Sequence, residues 1–465
     1  MPQTATLADR QRCERYPVDD FLADIAGISA TTDPIDLKRR SRDYFWYSPI
    51  LHEMLKDKLA DVVVTPRDEA EVIRVAAACA KHQVPLTVRG GATGNYGQCV
   101  PLEGGVVLDM AQLNEIKWQK PGLVQAQAGA KLYDIDTVTR PHGFELRMHP
   151  STKRSAQIGG FVAGGSGGIG SVTFGGMREP GNIVAARIVT LERTPRVIEL
   201  RGDAAQKISR AYGTTGIITE LEMPLAPTQP WTDVIVAFDD FVECVQFAHS
   251  IAMADGIGKK LLSPAQWPLP QHFAAFQAFC PDGKNLLSAM IGDMSIESFE
   301  TLLALTRGTL TYKAPSEDVL SKVPLYEHTW NHTTLQVLKN DRGFTYLQCL
   351  YPHDRLVEAV AQVGAKFSGE VFQHLEFIRL NGYMTASGIP VVRYSSAERL
   401  YQIIAGYEAC GIMIANPHVV TLEDGSRYKR VDADQLGFKY EVDPMGLLNP
   451  GKMRSFVPRA GLSER

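Results

Sequence analysis

The stretch VVVTPRDEAEVIRVAAACAKHQVPLTVRGGATG, residues 62–94, decides the fold of this 465-residue chain. Asp61–Val64 is a short apolar strand closed by Pro66. Asp68 is a helix N-cap with Glu71 as its capping-box partner, and Val72, Val75, Ala76 and Cys79 recur at helical spacing. Val84–Val88 is a second strand, and it runs straight into a glycine loop. Strand, helix, strand and loop in so short a span have the size of a βαβ unit. Working outward, Val106–Asp109 is a third strand and Leu123–Gly129 alternates like a fourth.

The loop Arg89-Gly90-Gly91-Ala92-Thr93-Gly94-Asn95-Tyr96-Gly97 lets successive backbone N–H groups face one ligand, an arrangement suited to an anion. It is not a P-loop, which requires a lysine that is absent here. A second glycine run is denser: seven of the twelve residues from Gly159 to Gly170 are glycine. Gly165, Gly167 and Gly170 spell a formal GxGxxG, with Glu192 at about the spacing of an acidic ribose ligand. That run lies deep inside a domain already begun, and its glycine density predicts that no helix follows. It reads instead as bare backbone laid against a large planar or extended ligand. Strands follow at Ile183–Leu191 and Val197–Leu200, then Gly213-Thr214-Thr215-Gly216-Ile217. Three glycine segments of this kind imply an extended dinucleotide cofactor.

Composition narrows the class. Charged residues are 22% and the net charge is −4, so no basic field favours nucleic acid. The seven cysteines are scattered with no CxxC pair, which predicts a reducing compartment and no cysteine-based metal site. No leader-like or membrane-spanning apolar run is present, so a cytoplasmic location is expected. A composition shift at Pro224–Trp231 marks a boundary. Beyond it, strands (Val234–Phe238, Leu287–Ile291, Phe344–Leu350, Val371–Leu380, Val391–Tyr394) mix with amphipathic helices as an α+β region. The expected organisation is an N-terminal arm over 1–55, a cofactor domain over 56–228, a cap or substrate domain over 229–415 and a C-terminal segment over 416–465.

Five segments in order carry a family resemblance: residues 62–94, GGVVLDMAQLNEI at 104–116, HPSTKRSAQIGGFVAGGSGGIGSVTFG at 149–175, YGTTGIITE at 212–220 and DPMGLLNPGKM at 443–453. They resemble the FAD-binding PCMH-type flavoproteins of the vanillyl-alcohol oxidase and p-cresol methylhydroxylase superfamily. The glycolate oxidase and D-lactate dehydrogenase branch looks closest. The resemblance implies a two-subdomain FAD-binding domain, an α+β cap and a C-terminal segment returning to the flavin domain. It implies that Arg89, Gly90, Gly91, Ala92, Thr93, Gly94 and Asn95 cradle the pyrophosphate. Pro150, Ser151, Thr152, Gly159, Gly160, Gly165, Gly168 and Ser171 would line the flavin and ribityl region. Gly213, Gly216 and Ile217 would lie by the adenine half, with Asn449 and Lys452 returning from the tail. Members with covalent flavin often carry His after the first Gly pair. Ala92 and Thr93 stand there, and residues 149–170 hold no Cys, so FAD is expected to be non-covalent, with His149 the one nucleophile nearby.

Flavin chemistry needs a base near the substrate. Tyr326–Thr334 offers His328 and His332, four apart and so on one helical face. The corresponding segment of the 2-hydroxy-acid branch supplies an Arg for a carboxylate. Here Asn331, His332 and Thr333 follow Trp330, which favours a neutral or hydroxylated substrate. In Gln373–Arg379, strand alternation places His374 and Glu376 on one face as a base and its orienting carboxylate. His418, before a charged loop at Glu423–Lys429, and Tyr346 complete the candidates. The metal-holding segments of the 2-hydroxy-acid branch are absent, so no metal is expected. The reading is an FAD-linked dehydrogenase or oxidase acting on CH–OH. The alternative is a flavin-binding subunit of a larger complex. Partners would be a small-molecule substrate and an electron acceptor (oxygen, quinone, cytochrome or partner subunit), with a homodimer possible.

Overall fold

A computed structural model describes residues 15–165, 167–316, 323–424 and 431–458. Of the charged loop at Glu423–Lys429, the part from Gly425 onward lies outside the described residues.

The first sheet joins β1 (Ser29–Thr31), β2 (Val62–Thr65), β3 (Leu86–Arg89) and β4 (Val106–Asp109) in the order β1-β2-β4-β3. β4 pairs in parallel with both β2 and β3, while β1 adds antiparallel to the β2 edge. The N-terminal region thus contributes a strand to this sheet. Between β2 and β3 runs the helix Glu69–His82. The Asp68 carboxylate accepts the Glu71 N–H at 2.8 Å, and Glu71 reaches back to the Arg67 N–H at 2.8 Å, one residue earlier than in a reciprocal box. Val72, Val75, Ala76 and Cys79 are buried against the sheet, as the 3.6-residue period dictates.

The second sheet is antiparallel: β5 (Ile116–Lys120), β6 (Leu123–Gln127), β10 (Ile217–Pro227), β8 (Ala185–Val189) and β9 (Val197–Arg201) lie in that order, and β7 (Phe144–Leu146) joins β10. Both sheets share one apolar core. Contrary to the expectation that no helix follows the glycine run, the one-turn helix Ser171–Phe174 does, and a further helix, Ile158–Gly164, forms inside the run itself. Tertiary bonds override propensity there: the Ile158 and Gly159 N–H groups donate to the Ala130 and Ala128 carbonyls at 2.9 and 2.8 Å.

The remaining half builds on β11 (Trp231–Phe238), β12 (Lys259–Ala265), β13 (Asn285–Gly292) and β14 (Thr309–Pro315), ordered β12-β13-β11-β14. Two smaller sheets follow: β15 (Phe344–Tyr346), β20 (Val391–Arg393) and β17 (Val371–Phe372) in one, and β18 (Leu375–Leu380), β19 (Tyr383–Gly388), β16 (Cys349–Leu350) and β21 (Met413–Ile414) in the other. The single strands expected over 344–350 and 371–380 are therefore each broken in two, because each crosses from one sheet to the other. At the second break Gln266 takes the backbone, exchanging bonds of 2.8 Å with Gln373. The tail comes back to the first sheet: Leu86 N–H donates to Leu447 O at 2.8 Å and Asn449 N–H to Leu86 O at 2.7 Å. No described helix is long and apolar enough to cross a membrane.

Candidate active site

A cavity of about 390 Å³ opens between the glycine loops and the second half of the chain. Gly90, Gly91, Ala92, Thr93, Gly94 and Asn95 line it, as do Pro150, Ser151, Thr152, Gly159, Gly160, Gly165, Gly213 and Gly216. Three segments distant in sequence meet there: the loop after β3, the helix Ile158–Gly164 and the loop before β10. Gly91 is required by proximity: a Cβ there would stand 2.3 Å from the Ser155 carbonyl. Gly160 is different. Its Cβ would meet only the Gly90 Cα, at 4.0 Å, so bare backbone faces open space.

Six of the residues expected to hold the cofactor lie behind this lining. The Arg89 guanidinium turns back to the Gly90 carbonyl at 3.0 Å and stands 3.6 Å from Asp109. Gly168 is pressed on the His149 carbonyl, and Ser171 Oγ accepts the Gly168 N–H at 2.9 Å. Ile217 is fully buried in the core, and by strand alternation its neighbour Ile218 lines the cavity instead. The Asn449 amide donates to the carbonyls of Gln98 (2.9 Å) and Tyr212 (2.6 Å), both cavity residues. Lys452 Nζ donates to the Gly97 carbonyl at 2.5 Å. Asn449 and Lys452 thus brace the loops from behind.

The candidates for proton chemistry also lie outside the lining. His374 and Glu376 are together, with Nε2 and Oε1 2.9 Å apart, but fully buried. His418 is buried between Ser48 Oγ (2.7 Å) and the Tyr346 carbonyl (2.8 Å). The buried Tyr346 hydroxyl has no hydrogen-bond partner, and burial holds its proton well above the usual phenol range. His332 Nδ1 meets the Glu327 carbonyl at 3.1 Å, and burial pushes the ring down to about 4. His328 and His332 do not share a helical face: Trp330, at φ +54, separates a 3₁₀ turn ending at His328 from the helix Asn331–Asn340.

Sequence reasoning passed over several lining residues: Asp43, Cys99, Gln157, Arg210, Trp330, Asn331 and Cys349. Gln157, Trp330 and Asn331 sat inside quoted motifs. Asp43 carried no signal beyond its place before the aromatic run Tyr44–Tyr47. Among the described residues it is the one carboxylate lining the cavity, and no imidazole does so. One Asp43 oxygen accepts the Phe45 N–H at 2.9 Å, and the Gln98 N–H also favours the charged carboxylate. Burial pushes this carboxyl up to about 7, opposed by the nearby Lys452 ammonium, which burial pushes down to about 8. His149 lines a separate cavity with Lys153, Lys260 and Tyr326. Among the described residues no cluster of His, Cys, Asp or Glu is placed to hold a metal.

The glycine side fits a nucleotide. A Cβ on Gly213 would meet only Val88, at 3.8 Å, which with Gly160 leaves two open cradles. Asn95 Nδ2 and Gln157 Oε1, in lining residues, are buried without partners. Comparison with known proteins agrees. Residues 60–197 match the family model described as FAD binding domain, and FAD is the cofactor of this segment. The Escherichia coli K12 protein named glycolate oxidase subunit GlcD is 30% identical over 206 residues, 42% of this chain and 40% of that one. D-lactate dehydrogenase of Anaerostipes hadrus is 29% identical over 210 residues, 41% and 43% of the two chains. Mitochondrial D-2-hydroxyglutarate dehydrogenase of Bos taurus is 27% identical over 257 residues, 51% and 44%. The matches thus span less than half the length of these relatives. A solved alkyldihydroxyacetonephosphate synthase superposes with TM-score 0.70 at 16% identity, over 94% of this chain and 85% of that one. A variant of the Physcomitrella patens BBE-like 1 protein gives 0.65 at 13% identity, over 92% and 98%. These two show that the fold extends over nearly the whole chain.

Proposed function

We propose, on the premise that residues 60–197 are an FAD-binding domain, that this chain is an FAD-dependent oxidoreductase acting on a carbon that bears a hydroxyl. The observation that carries the reading is the cavity itself. One wall is the glycine backbone; the other is Trp330, Asn331, Gln348, Ser387 and Ala415 from the second half. Bound there, the flavin supplies a hydride acceptor. The glycine loops and the Asn95 amide hold the nucleotide, braced by Asn449 and Lys452. Gln348, Ser387 and Asn331 orient an uncharged, hydroxylated substrate. The Asp43 carboxylate takes the hydroxyl proton, since its pKa of about 7 suits a base at neutral pH. His374, Glu376, His332, His418 and Tyr346 act from behind the wall.

FAD is held without a covalent bond in this reading. The lining thiols are Cys99 and Cys349, and burial pushes Cys99 up to about 12 and Cys349 higher, which leaves little thiolate. The second reading, a flavin-binding subunit of a larger complex, is favoured by one relative's being named a subunit.

The first experiment is the visible spectrum of the purified protein before and after acid precipitation, followed by anaerobic titration with alcohols and 2-hydroxy acids. Flavin released to the supernatant and bleached by an alcohol supports the proposal. Flavin retained in the pellet overturns the non-covalent assignment. Flavin that no candidate bleaches favours the subunit reading, and failure to take up FAD sinks both.

A further inference from the structure

We infer that Glu376 is a positioning residue: through the backbone of Trp330 it sets the indole that walls the cavity against Gly167, and so sets substrate fit. The functional consequence rests on the FAD reading above; the geometry does not.

Trp330 adopts φ +54 and ψ −141, a backbone region that residues with a side chain rarely occupy. Something must hold it there. Its N–H donates to Glu376 Oε1 at 2.5 Å. The same oxygen accepts the Ser263 hydroxyl at 2.9 Å and lies 2.9 Å from His374 Nε2. The hydrogen positions can be assigned. The Thr333 hydroxyl donates to the His328 carbonyl at 2.6 Å, so its oxygen is free to accept from His374 Nε2, 3.2 Å away. The Ser263 hydrogen is committed to Glu376, so its oxygen also accepts from Nε2, at 3.1 Å. Nε2 therefore carries the ring hydrogen in the neutral tautomer. Two donors, the Ser263 hydroxyl from β12 and the Trp330 N–H itself, bond this one carboxylate oxygen, with the His374 ring beside it, while Oε2 has no partner.

The payload of this arrangement is the indole. It lines the cavity, and a Cβ added to Gly167 would stand 2.9 Å from its ring. Its Nε1 is buried without a partner. Without the Glu376 acceptor the strained backbone relaxes to negative φ, and the ring leaves Gly167. The wall then opens where the glycine loop and the second half of the chain face each other.

The test compares full-length wild type with Glu376→Leu, Glu376→Gln and Trp330→Phe. The primary readout is near-UV circular dichroism of protein free of FAD, as the difference from Trp330→Phe, which isolates the indole at 330. Glu376→Leu should lose that band. Glu376→Gln, whose amide oxygen still accepts the Trp330 N–H, should keep it. With FAD bound, Glu376→Leu should raise KM at least tenfold with kcat changed less than threefold, and Gln should restore KM. A band unchanged in Glu376→Leu overturns the inference. Should that variant fail to fold, Gly167→Ala pushes on the ring without touching the network. Loss of the band there supports the assignment, and an unchanged band with unchanged KM overturns it. Because the band is read without FAD, failure of the FAD reading would show separately, as a wild type that takes up no flavin.

Discussion

Replacing Asn449 by Ala should both destabilise the fold and loosen FAD, by amounts the structure fixes. The Asn449 amide donates to the buried Tyr212 carbonyl at 2.6 Å and to the Gln98 carbonyl at 2.9 Å. Losing the first leaves a buried acceptor unsatisfied, at about 1–3 kcal/mol. Losing the second, partly open to water, costs about 0.5–1.5 kcal/mol. Asn449 also sits at φ +45, where Asn is tolerated and Ala adds about 1–2 kcal/mol. The sum centres on about 4.5 kcal/mol. Asn449→Gly removes the bonds without the backbone strain and should cost about 1 kcal/mol less than Ala. Gln98 and Tyr212 both line the cavity, so FAD affinity should fall at least tenfold in both variants. Urea unfolding followed by tryptophan fluorescence measures the first effect, and titration of FAD into the apoprotein the second. A cost under about 1 kcal/mol for Ala, with unchanged FAD affinity, would refute the clasp. A Gly variant as costly as Ala would refute the backbone argument.

Three further outcomes follow from single positions. Gly160→Leu places a side chain in open cavity from a helical position, so FAD binding should fall by at least 100-fold while the apoprotein melts no lower than wild type. A melting loss with FAD affinity preserved would contradict this. Asp43 has its folded pKa raised from 3.8 to about 7, so between these values the folded state holds a proton that the unfolded chain has lost. The stability of wild type relative to Asp43→Asn should therefore decline as pH rises from about 4 to 7, by at most about 1.4 kcal/mol per pH unit. A difference flat across that window refutes the protonated carboxyl. His332 has the opposite sign: its pKa is depressed from 6.5 to about 4, so its contribution is complete above 6.5 and lost as pH falls towards 4. His332→Gln should remove about 3 kcal/mol of acid sensitivity in that window, read from urea midpoints at stepped pH.

What was legible in the sequence was local. The helix Glu69–His82 needs only its Asp68 cap and its apolar stripe, and both operate within a few residues. The first loop's glycines follow a strand directly, so their backbone role can be read without knowing what lies opposite. The tail was legible because Asn449 and Lys452 stand in a short motif whose resemblance carried its destination with it. Long-range effects were hidden. The helix Ile158–Gly164 exists through bonds to the Ala128 and Ala130 carbonyls, which no window around the glycines contains. The breaks at 347–348 and 373–374 depend on which of two sheets each half joins. An apolar run reads the same whether or not it changes partner.

Of the cavity, the glycine wall was legible and the opposite wall hidden, for a chemical reason. Searching for titratable residues in suggestive patterns finds His374, Glu376, His332 and His418, and each stands in a hydrogen-bonded setting behind the wall, His332 half-buried and the others buried. Buried ionisable groups must have partners, so the patterns that bring them together are often the signature of a brace. The groups that meet the lumen instead include neutral Asn331, Gln348 and Ser387, contributed singly by segments far apart in sequence. Asn331 stands inside a motif quoted for its histidines, and Gln348 and Ser387 stand in segments without a chemical pattern, so nothing marks these three as site residues. Asp43 is the exception that follows the same logic. Its carboxyl lies at the cavity wall with its pKa raised by burial, and in the proposed function it is the group that meets the substrate hydroxyl.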